Sequence, residues 1–349
     1  MADTYILVAT GAGNTIVGGA DIWVNNFLKE VWPTLPRRKA YRLLIDSKRP
    51  TNFEEKYLPK GLRYHFHYDD PSVTQEWCDN AKYIHCLHPH YHMREHIWEY
   101  EDKFGVCFVH AYPREIQGVL SKLPDLDYLQ VQTKIDLKFY DEFLMTFKRR
   151  VWIGLNPTEM TERFPTYTYN IPNYYEFQGP AALSTNYQNG TVGFAARTET
   201  RKCLHWMDGI QKGYALTSWR DVVNLRESSQ FSLPTTRIYQ WDPDIFNSFM
   251  TKDFGIFHGA AFHEPFGYNI FQSIDYGKVP IINHDWASHI DYKYRASNKN
   301  QFDICIKTIK KSSWEEVNEE RNKLIQFLKK FDNKSEWVDK VRSQILYFY

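Results

Sequence analysis

The sequence predicts an α/β protein that is built on parallel β-sheets and divided into two domains. Short apolar runs of strand length alternate with stretches whose apolar residues recur at helical spacing. The chain has 349 residues, which suits two domains of roughly 100–200 residues each. Composition also changes near the middle, where Pro, Tyr, Asn and Gly dominate residues 164–190. We expect domains at residues 1–170 and 171–330, followed by a helix within residues 331–349.

Bulk composition favours a globular protein without a strong overall electrostatic field. Hydrophobic residues make up 43% of the chain, charged residues 24%, and the net charge is +1. The five cysteines show no paired spacing, which indicates free thiols in a reducing compartment. No signal-peptide pattern is present, and no apolar run approaches the roughly 18 residues of a membrane span. We expect a cytoplasmic monomer without a membrane partner.

The chain begins with a strand, a glycine loop and a helix. Tyr5–Thr10 is an apolar run fit for a buried parallel strand. Gly18 and Gly19 follow a Gly-x-Gly fragment and precede a stripe that includes Trp23 and Phe27. The glycines alone fit two interpretations equally well, a plain tight turn and a functional loop.

More strand-like runs follow in the first half, with helical stretches between them. They are Tyr41–Ile45, Leu62–His67, Tyr83–Leu87, Val106–His110 and Tyr128–Val131, and the helical stretches include Met93–Lys103 and Ile135–Lys148. Ligands of doubly wound sheets bind at the carboxyl ends of strands, where His88, His90 and His110 fall. Their spacing completes no recognised metal pattern, so we interpret them as polar lining or loop residues.

Residues 37–63 form a basic segment with nine basic and three acidic side chains. Arg38, Lys39 and Arg49 belong to it. Such a segment suits a phosphate backbone, although a solvated face is the commoner outcome for a charge run.

The second half contains strand-like runs at Thr191–Ala195, Thr236–Trp241 and Phe254–His258. A stripe of Cys203, Trp206, Met207 and Ile210 has helical spacing. Two further stripes, which include Leu324 and Val341, predict helices near the end of the chain.

A loop and helix between residues 263 and 282 are the strongest local signal. Gly267 precedes a helix whose core face carries Ile270, Phe271 and Ile274, and Gly277 ends it. Glycine at a helix mouth lets an anion approach unpaired backbone N–H groups at the positive end of the helix dipole. We expect a phosphate at residues 267–269, with Glu264 placed to hydrogen-bond an attached sugar.

This stretch resembles the nucleotide-sugar signature of retaining GT-B glycosyltransferases. In that family an acidic residue precedes Pro-Phe-Gly, and a second acidic residue follows after seven intervening positions. Glu264 occupies the first position, whereas Gln272 stands at the second and can accept a ribose hydrogen bond only without charge. The resemblance implies donor binding by these residues: Gly18, Gly19, Phe266, Gly267, Tyr268, Asn269 and Gln272.

Other segments match the same family in the same order. Arg197 and Lys202, with four residues between them, resemble the pair that holds the donor diphosphate, whose charge rises as the sugar leaves. Asn170–Asn173 resembles the crossing between domains, and His110 lies where the family has a histidine beside the donor sugar. The resemblance implies two Rossmann-like domains facing a central cleft, a terminal helix that crosses back to the first, and no metal or other cofactor.

The run from Arg197 to Lys202 is also similar to that of T-even phage α-glucosyltransferases, which modify 5-hydroxymethylcytosine in DNA. Transfer of a hexose or pentose from a UDP-sugar to double-stranded DNA, with retention, is then expected. Arg38, Lys39, Arg49, His88 and His90 are the candidate acceptor-binding residues. Two alternatives stay open: a GT-B enzyme acting on a saccharide, lipid or small molecule, and a non-catalytic nucleotide-sugar or nucleic-acid binding module.

Overall fold

A computed structural model describes residues 3–13, 19–36, 38–89, 93–110, 137–155, 162–166, 168–196, 200–217, 236–240 and 243–349. These residues form two units, each built around a parallel sheet. The described residues of the first unit lie within 3–110, 137–174 and 333–349, and those of the second lie within 175–332. The α/β prediction is therefore confirmed.

The sheet of the first unit has seven parallel strands among the described residues. They are β1 (Thr4–Ala9), β2 (Tyr41–Ile45), β3 (Arg63–Phe66), β4 (Ala81–Cys86), β5 (Phe104–Val109), β6 (Arg149–Trp152) and β7 (Thr168–Asn170). The spatial order is β3-β2-β1-β4-β5-β6-β7. Strand order reverses beside β1, where Val8 pairs with Leu44 on one side and Cys86 on the other.

The second unit repeats this plan with five parallel strands among the described residues. They are β8 (Val192–Ala195), β9 (Gly213–Thr217), β10 (Thr236–Gln240), β11 (Ile256–Gly259) and β12 (Val279–Ile282). The spatial order is β10-β9-β8-β11-β12, so strand order reverses between β8 and β11. That reversal is the place where doubly wound sheets bind ligands.

The described α-helices are α1 (Gly19–Asn26), α2 (Pro71–Asp79), α3 (Met93–Ile97), α4 (Leu137–Thr146), α5 (Pro243–Met250), α6 (Tyr268–Asp275), α7 (Lys299–Lys311), α8 (Trp314–Leu328) and α9 (Lys334–Leu346). Alternate residues of β1 face opposite cores, with Leu7 in one apolar cluster and Val8 in the other. Trp337 and Val341 of α9 join the cluster of Leu7. Within the described residues, no helix has the length and apolar character needed to cross a bilayer.

Helix α6 matches its prediction. Ile270, Phe271 and Ile274 are fully buried, as their spacing requires. Gly277 adopts φ 70° and donates its N–H to the Ile274 carbonyl at 3.0 Å, which ends the helix in the left-handed conformation typical of glycine.

Two predicted elements differ from the structure. The stripe from Cys203 to Ile210 is buried, but the chain forms short 3₁₀ turns at Thr200–Lys202 and Leu204–Met207 instead of a helix. Cys203 lies between them at φ 57°, which α-helical backbone does not allow. Met93–Lys103 is helical only through α3 and continues as a 3₁₀ segment. The predicted strand Tyr128–Val131 lies outside the described residues.

Arg150 ties β6 to the end of α4 inside the first unit. Its Nη1 donates to the carbonyls of Leu144 and Phe147 at 3.2 and 2.9 Å, and Nη2 donates to Thr166 at 2.8 Å. Arg150 is buried, and this burial lowers the pKa of its guanidinium.

We expect Arg150→Met to destabilise the protein by about 2–4 kcal/mol, because it leaves three carbonyls without their donor. Arg63→Met is the matched control, since Arg63 is exposed on β3 and its removal should change stability by less than about 0.5 kcal/mol. Thermal unfolding of the two variants checks this. Equal melting temperatures would show that Arg150 contributes nothing to the fold.

Candidate functional site

The loops after β8, β11 and β12 carry the candidate site of the second unit. Residues 200–203 follow β8, residues 260–267 join β11 to α6, and residues 283–296 follow β12. All three loops leave the carboxyl edge of the sheet, beside the reversal of strand order between β8 and β11.

Lys202 and Glu264 meet at this edge. The Lys202 Nζ atom donates to Glu264 Oε2, although 62 positions separate the two residues. Their side chains are 13% and 15% exposed, so the ion pair lies largely out of water. Parallel pairing of β8 with β11 places the loops after these strands side by side and so makes the contact possible.

Backbone contacts hold the two loops together around this ion pair. The Phe262 N–H donates to the Arg201 carbonyl at 2.8 Å. The Arg201 guanidinium returns a bond from Nη1 to the His263 carbonyl at 3.2 Å. The residues next to Lys202 and Glu264 are thus fixed independently of the charges.

Gly267 caps α6 in a conformation suited to glycine. Its φ is 82°, and an added Cβ would lie 2.9 Å from Ile270 Cδ1 and 3.2 Å from both Glu264 Cγ and Trp286 Nε1. Trp286 Nε1 already donates to the Phe266 carbonyl at 3.1 Å. Glycine therefore leaves the helix mouth open beside Glu264.

The positive end of the α6 dipole lies at this mouth, where the Ile270 N–H donates to the Gly267 carbonyl at 2.8 Å. Asn269 lies in this first turn and donates Nδ2 to the Ala195 carbonyl at the end of β8, at 3.0 Å. Phe266 and Tyr268 are buried, with ring centroids 5.0 Å apart. Gln272 is half-buried one turn further along α6. An anion at this mouth would meet backbone donors and Lys202 together.

Left-handed backbone marks all three loops. The non-glycine residues with positive φ in the described part of the chain are Cys203 (57°), His263 (45°) and Ala287 (46°). They stand next to Lys202, Glu264 and Trp286. Such conformations cost roughly 1–3 kcal/mol each and cluster at functional sites, so their placement singles out this edge of the sheet.

Arg295 organises the loop after β12. Its guanidinium donates to five backbone carbonyls at 2.7 to 3.2 Å, those of Asn283, His284, Trp286, Ala287 and Ile290. These bonds hold the segment that carries Trp286 against the mouth of α6.

His110 lies just beyond β5 in the first unit and is 8% exposed. Its Nε2 bonds the Leu87 carbonyl at 2.9 Å, and its ring meets Trp23 edge-on at 5.1 Å. Burial lowers the pKa of His110 to about 4, so the imidazole is neutral at pH 7. His88 lies beside it, with ring centroids 5.0 Å apart, and Thr10 Oγ1 is 2.6 Å from its Nδ1.

The predicted basic residues of the first unit differ in their surroundings. Arg49 binds Asp69 Oδ2 through Nε at 2.8 Å and lies 4.7 Å over the Phe66 ring. Arg38 is exposed, 5.8 Å from the Trp32 ring centroid. Gly19 is the exposed first residue of α1.

Several predicted site residues lie outside the described part of the chain. They are Gly18, His90, Arg197 and the side chain of Lys39. Among the residues that are described, no group of three His, Cys, Asp or Glu side chains could hold a metal ion. Four residues at the site were not anticipated: Arg201, His258, Trp286 and Arg295. Arg201 lies inside the Arg197–Lys202 run, but the others carry no local signal in the sequence.

Solved structures provide the clearest comparison. Sucrose-phosphate synthase from Thermosynechococcus elongatus matches with a TM-score of 0.66 over 99% of this chain and 100% of its own, at 11% identity. The UDP-forming α,α-trehalose-phosphate synthase from Burkholderia xenovorans matches with a TM-score of 0.59 over 98% of both chains, at 10% identity. The chain has the GT-B fold.

An α-glucosyltransferase in complex with UDP and a 13-mer DNA shares this fold, with a TM-score of 0.54 over 99% of both chains and 11% identity. No protein-family model matches the sequence, and no curated protein matches it significantly. At such low identities the GT-B fold is what the comparison establishes.

We expect Gly267→Ala to lower the melting temperature more than Gly209→Ala. Both glycines have similar positive φ, 82° and 73°, but Gly209 has open space where a Cβ would lie. Backbone strain of roughly 1–2 kcal/mol is common to both variants, so the difference isolates the crowding at the mouth of α6. Equal melting temperatures would show that the mouth accommodates a methyl group.

Proposed function

We propose that this protein is a glycosyltransferase that takes a sugar from a UDP-sugar, with retention, and transfers it to 5-hydroxymethylcytosine in DNA. The observation that carries the proposal is the Lys202–Glu264 contact beside the open mouth of α6. It joins a cation, a carboxylate and backbone donors at the ligand-binding edge of the sheet.

These groups suit the chemistry of sugar transfer. The bond between the sugar C1 and the β-phosphate oxygen breaks, and negative charge grows on the departing UDP. Lys202, the N–H groups of α6 and the predicted partner Arg197 stabilise that charge. Glu264 turns from Lys202 to a sugar hydroxyl as the phosphate takes its place. The acceptor oxygen bonds C1 from the face that UDP leaves, and its proton passes to the departing β-phosphate oxygen, through an oxocarbenium-like transition state by analogy with glycosidases.

Two kinds of relative support the choice of donor and acceptor. One similar structure is an α-glucosyltransferase in complex with UDP-glucose and DNA. Another, with a TM-score of 0.51, is a phage T4 BGT mutant in complex with UDP-glucose. Within the basic segment at residues 37–63, Arg38, Lys48 and Lys60 are exposed and carry charge that suits a phosphate backbone. The better structural matches to sucrose- and trehalose-phosphate synthases favour a sugar phosphate as the second candidate acceptor.

We expect Lys202→Ala to weaken UDP binding by about 10–100-fold, since a charged hydrogen bond contributes roughly 1.5–3 kcal/mol. Lys212→Ala is the matched control, because Lys212 is an exposed lysine of the same unit beside β9. Isothermal titration of UDP into each variant measures the effect. Equal affinities for UDP, or no binding by the unaltered protein, would contradict the proposed donor site.

For the acceptor, we expect mass spectrometry to show one added sugar on hydroxymethylated duplex DNA, and none on unmodified DNA. Arg38→Ala should raise the KM for DNA by about tenfold or less and leave UDP affinity unchanged, because one phosphate contact is lost. Lys340→Ala, an exposed lysine of α9, is the control. Transfer to sugar phosphates alone would establish the second candidate. UDP binding without transfer to any acceptor would favour a binding module.

A further inference from the structure

His258 of β11 is buried beneath the candidate site, with 3% of its surface exposed. The Ala260 N–H donates to its Nδ1 at 3.3 Å, and its Nε2 lies 2.9 Å from the Cys203 carbonyl. Because Nδ1 accepts, the proton resides on Nε2, which donates to that carbonyl. Burial lowers the pKa of His258 to about 4, so this neutral tautomer persists at pH 7.

The two bonds of this ring join the two chain segments that form the site. Cys203 directly follows Lys202 and holds its left-handed φ of 57°. Ala260 begins the loop that leads to Glu264. The ring is fixed in its plane by Trp206, which is nearly parallel at 5.8 Å, and by Phe302, whose centroid is 4.4 Å away. Rotation of the imidazole would therefore require the core to repack.

We propose that His258 is a positioning residue that aims Lys202 at the donor diphosphate; this rests on the proposed function. The Nε2–H bond holds the Cys203 peptide in its left-handed conformation and thereby sets the direction in which Lys202 leaves the loop. His258 does not touch the donor. It acts through the backbone between residues 202 and 204.

Three substitutions separate the bonds of this ring. His258→Gln places an amide N–H near the Nε2 position and keeps the donor to Cys203. His258→Asn places an oxygen near the Nδ1 position and keeps only the acceptor for Ala260. His258→Phe keeps the ring and neither bond. We expect UDP affinity to fall about tenfold in the Phe and Asn variants and to stay within about threefold in the Gln variant, as loss of one buried hydrogen bond implies.

A double-mutant cycle distinguishes positioning from general loosening. On a Lys202→Ala background, His258→Phe should change UDP affinity by less than about twofold, because the side chain that His258 aims is gone. His85→Phe is the matched control: His85 is a fully buried strand histidine of the first unit, with Nδ1 accepting from the Val106 N–H. It should lower the melting temperature and leave UDP affinity unchanged.

The outcomes separate the two proposals. If the unaltered protein binds UDP and His258→Phe binds it equally well, the positioning role is wrong and the donor site stands. The positioning role is also wrong if His258→Phe lowers UDP affinity as much on the Lys202→Ala background as it does in the unaltered protein. If the unaltered protein binds no UDP, the proposed function fails and the role of His258 at the donor site fails with it.

Discussion

The contact between the Lys202 ammonium and the Glu264 carboxylate is the constraint that the loops of the second sheet have to satisfy. Both side chains are mostly removed from water, and a buried charge is costly unless its partner is held in good geometry. The loops after β8 and β11 must therefore keep a fixed separation. The Phe262–Arg201 backbone bond and the His258 ring provide that constraint without using either charge.

Holding the loops in these positions requires strained, left-handed backbone at three residues. Cys203, His263 and Ala287 each hold a conformation that disfavours a side chain. The surrounding bonds offset the strain, since His258 bonds the Cys203 carbonyl and Arg295 bonds that of Ala287. Strain thus coincides with the neighbours of Lys202, Glu264 and Trp286, which are the side chains of the candidate site.

Strands β8, β10 and β11 and helix α6 of the second unit could be predicted from the sequence, but the buried side chains that hold its loops could not. Apolar spacing and Gly277 defined α6 because burial and capping are local properties. The same spacing misidentified the stripe at Cys203, which is buried in a series of tight turns and not in a helix. His258 has no distinguishing local pattern, since its partners are carbonyl and N–H groups that only the folded chain brings together. Arg150 at β6 illustrates the same limit in the first unit.

Both sheets place a buried histidine where a strand meets the loop of its neighbour. His110 beyond β5 bonds the Leu87 carbonyl beyond β4, and His258 on β11 bonds the Cys203 carbonyl beyond β8. Burial lowers the pKa of each to about 4, so each ring is neutral at pH 7 and acts through its hydrogen bonds and packing. The Nε2 atom of His110 already bonds the Leu87 carbonyl, so the sugar contact that the sequence predicts would have to use the Nδ1 side of the ring. Removing His110 would therefore disturb the loop that carries His88. Loss of activity in a His110 variant would therefore be evidence of a structural role for His110 and would not by itself identify a catalytic group.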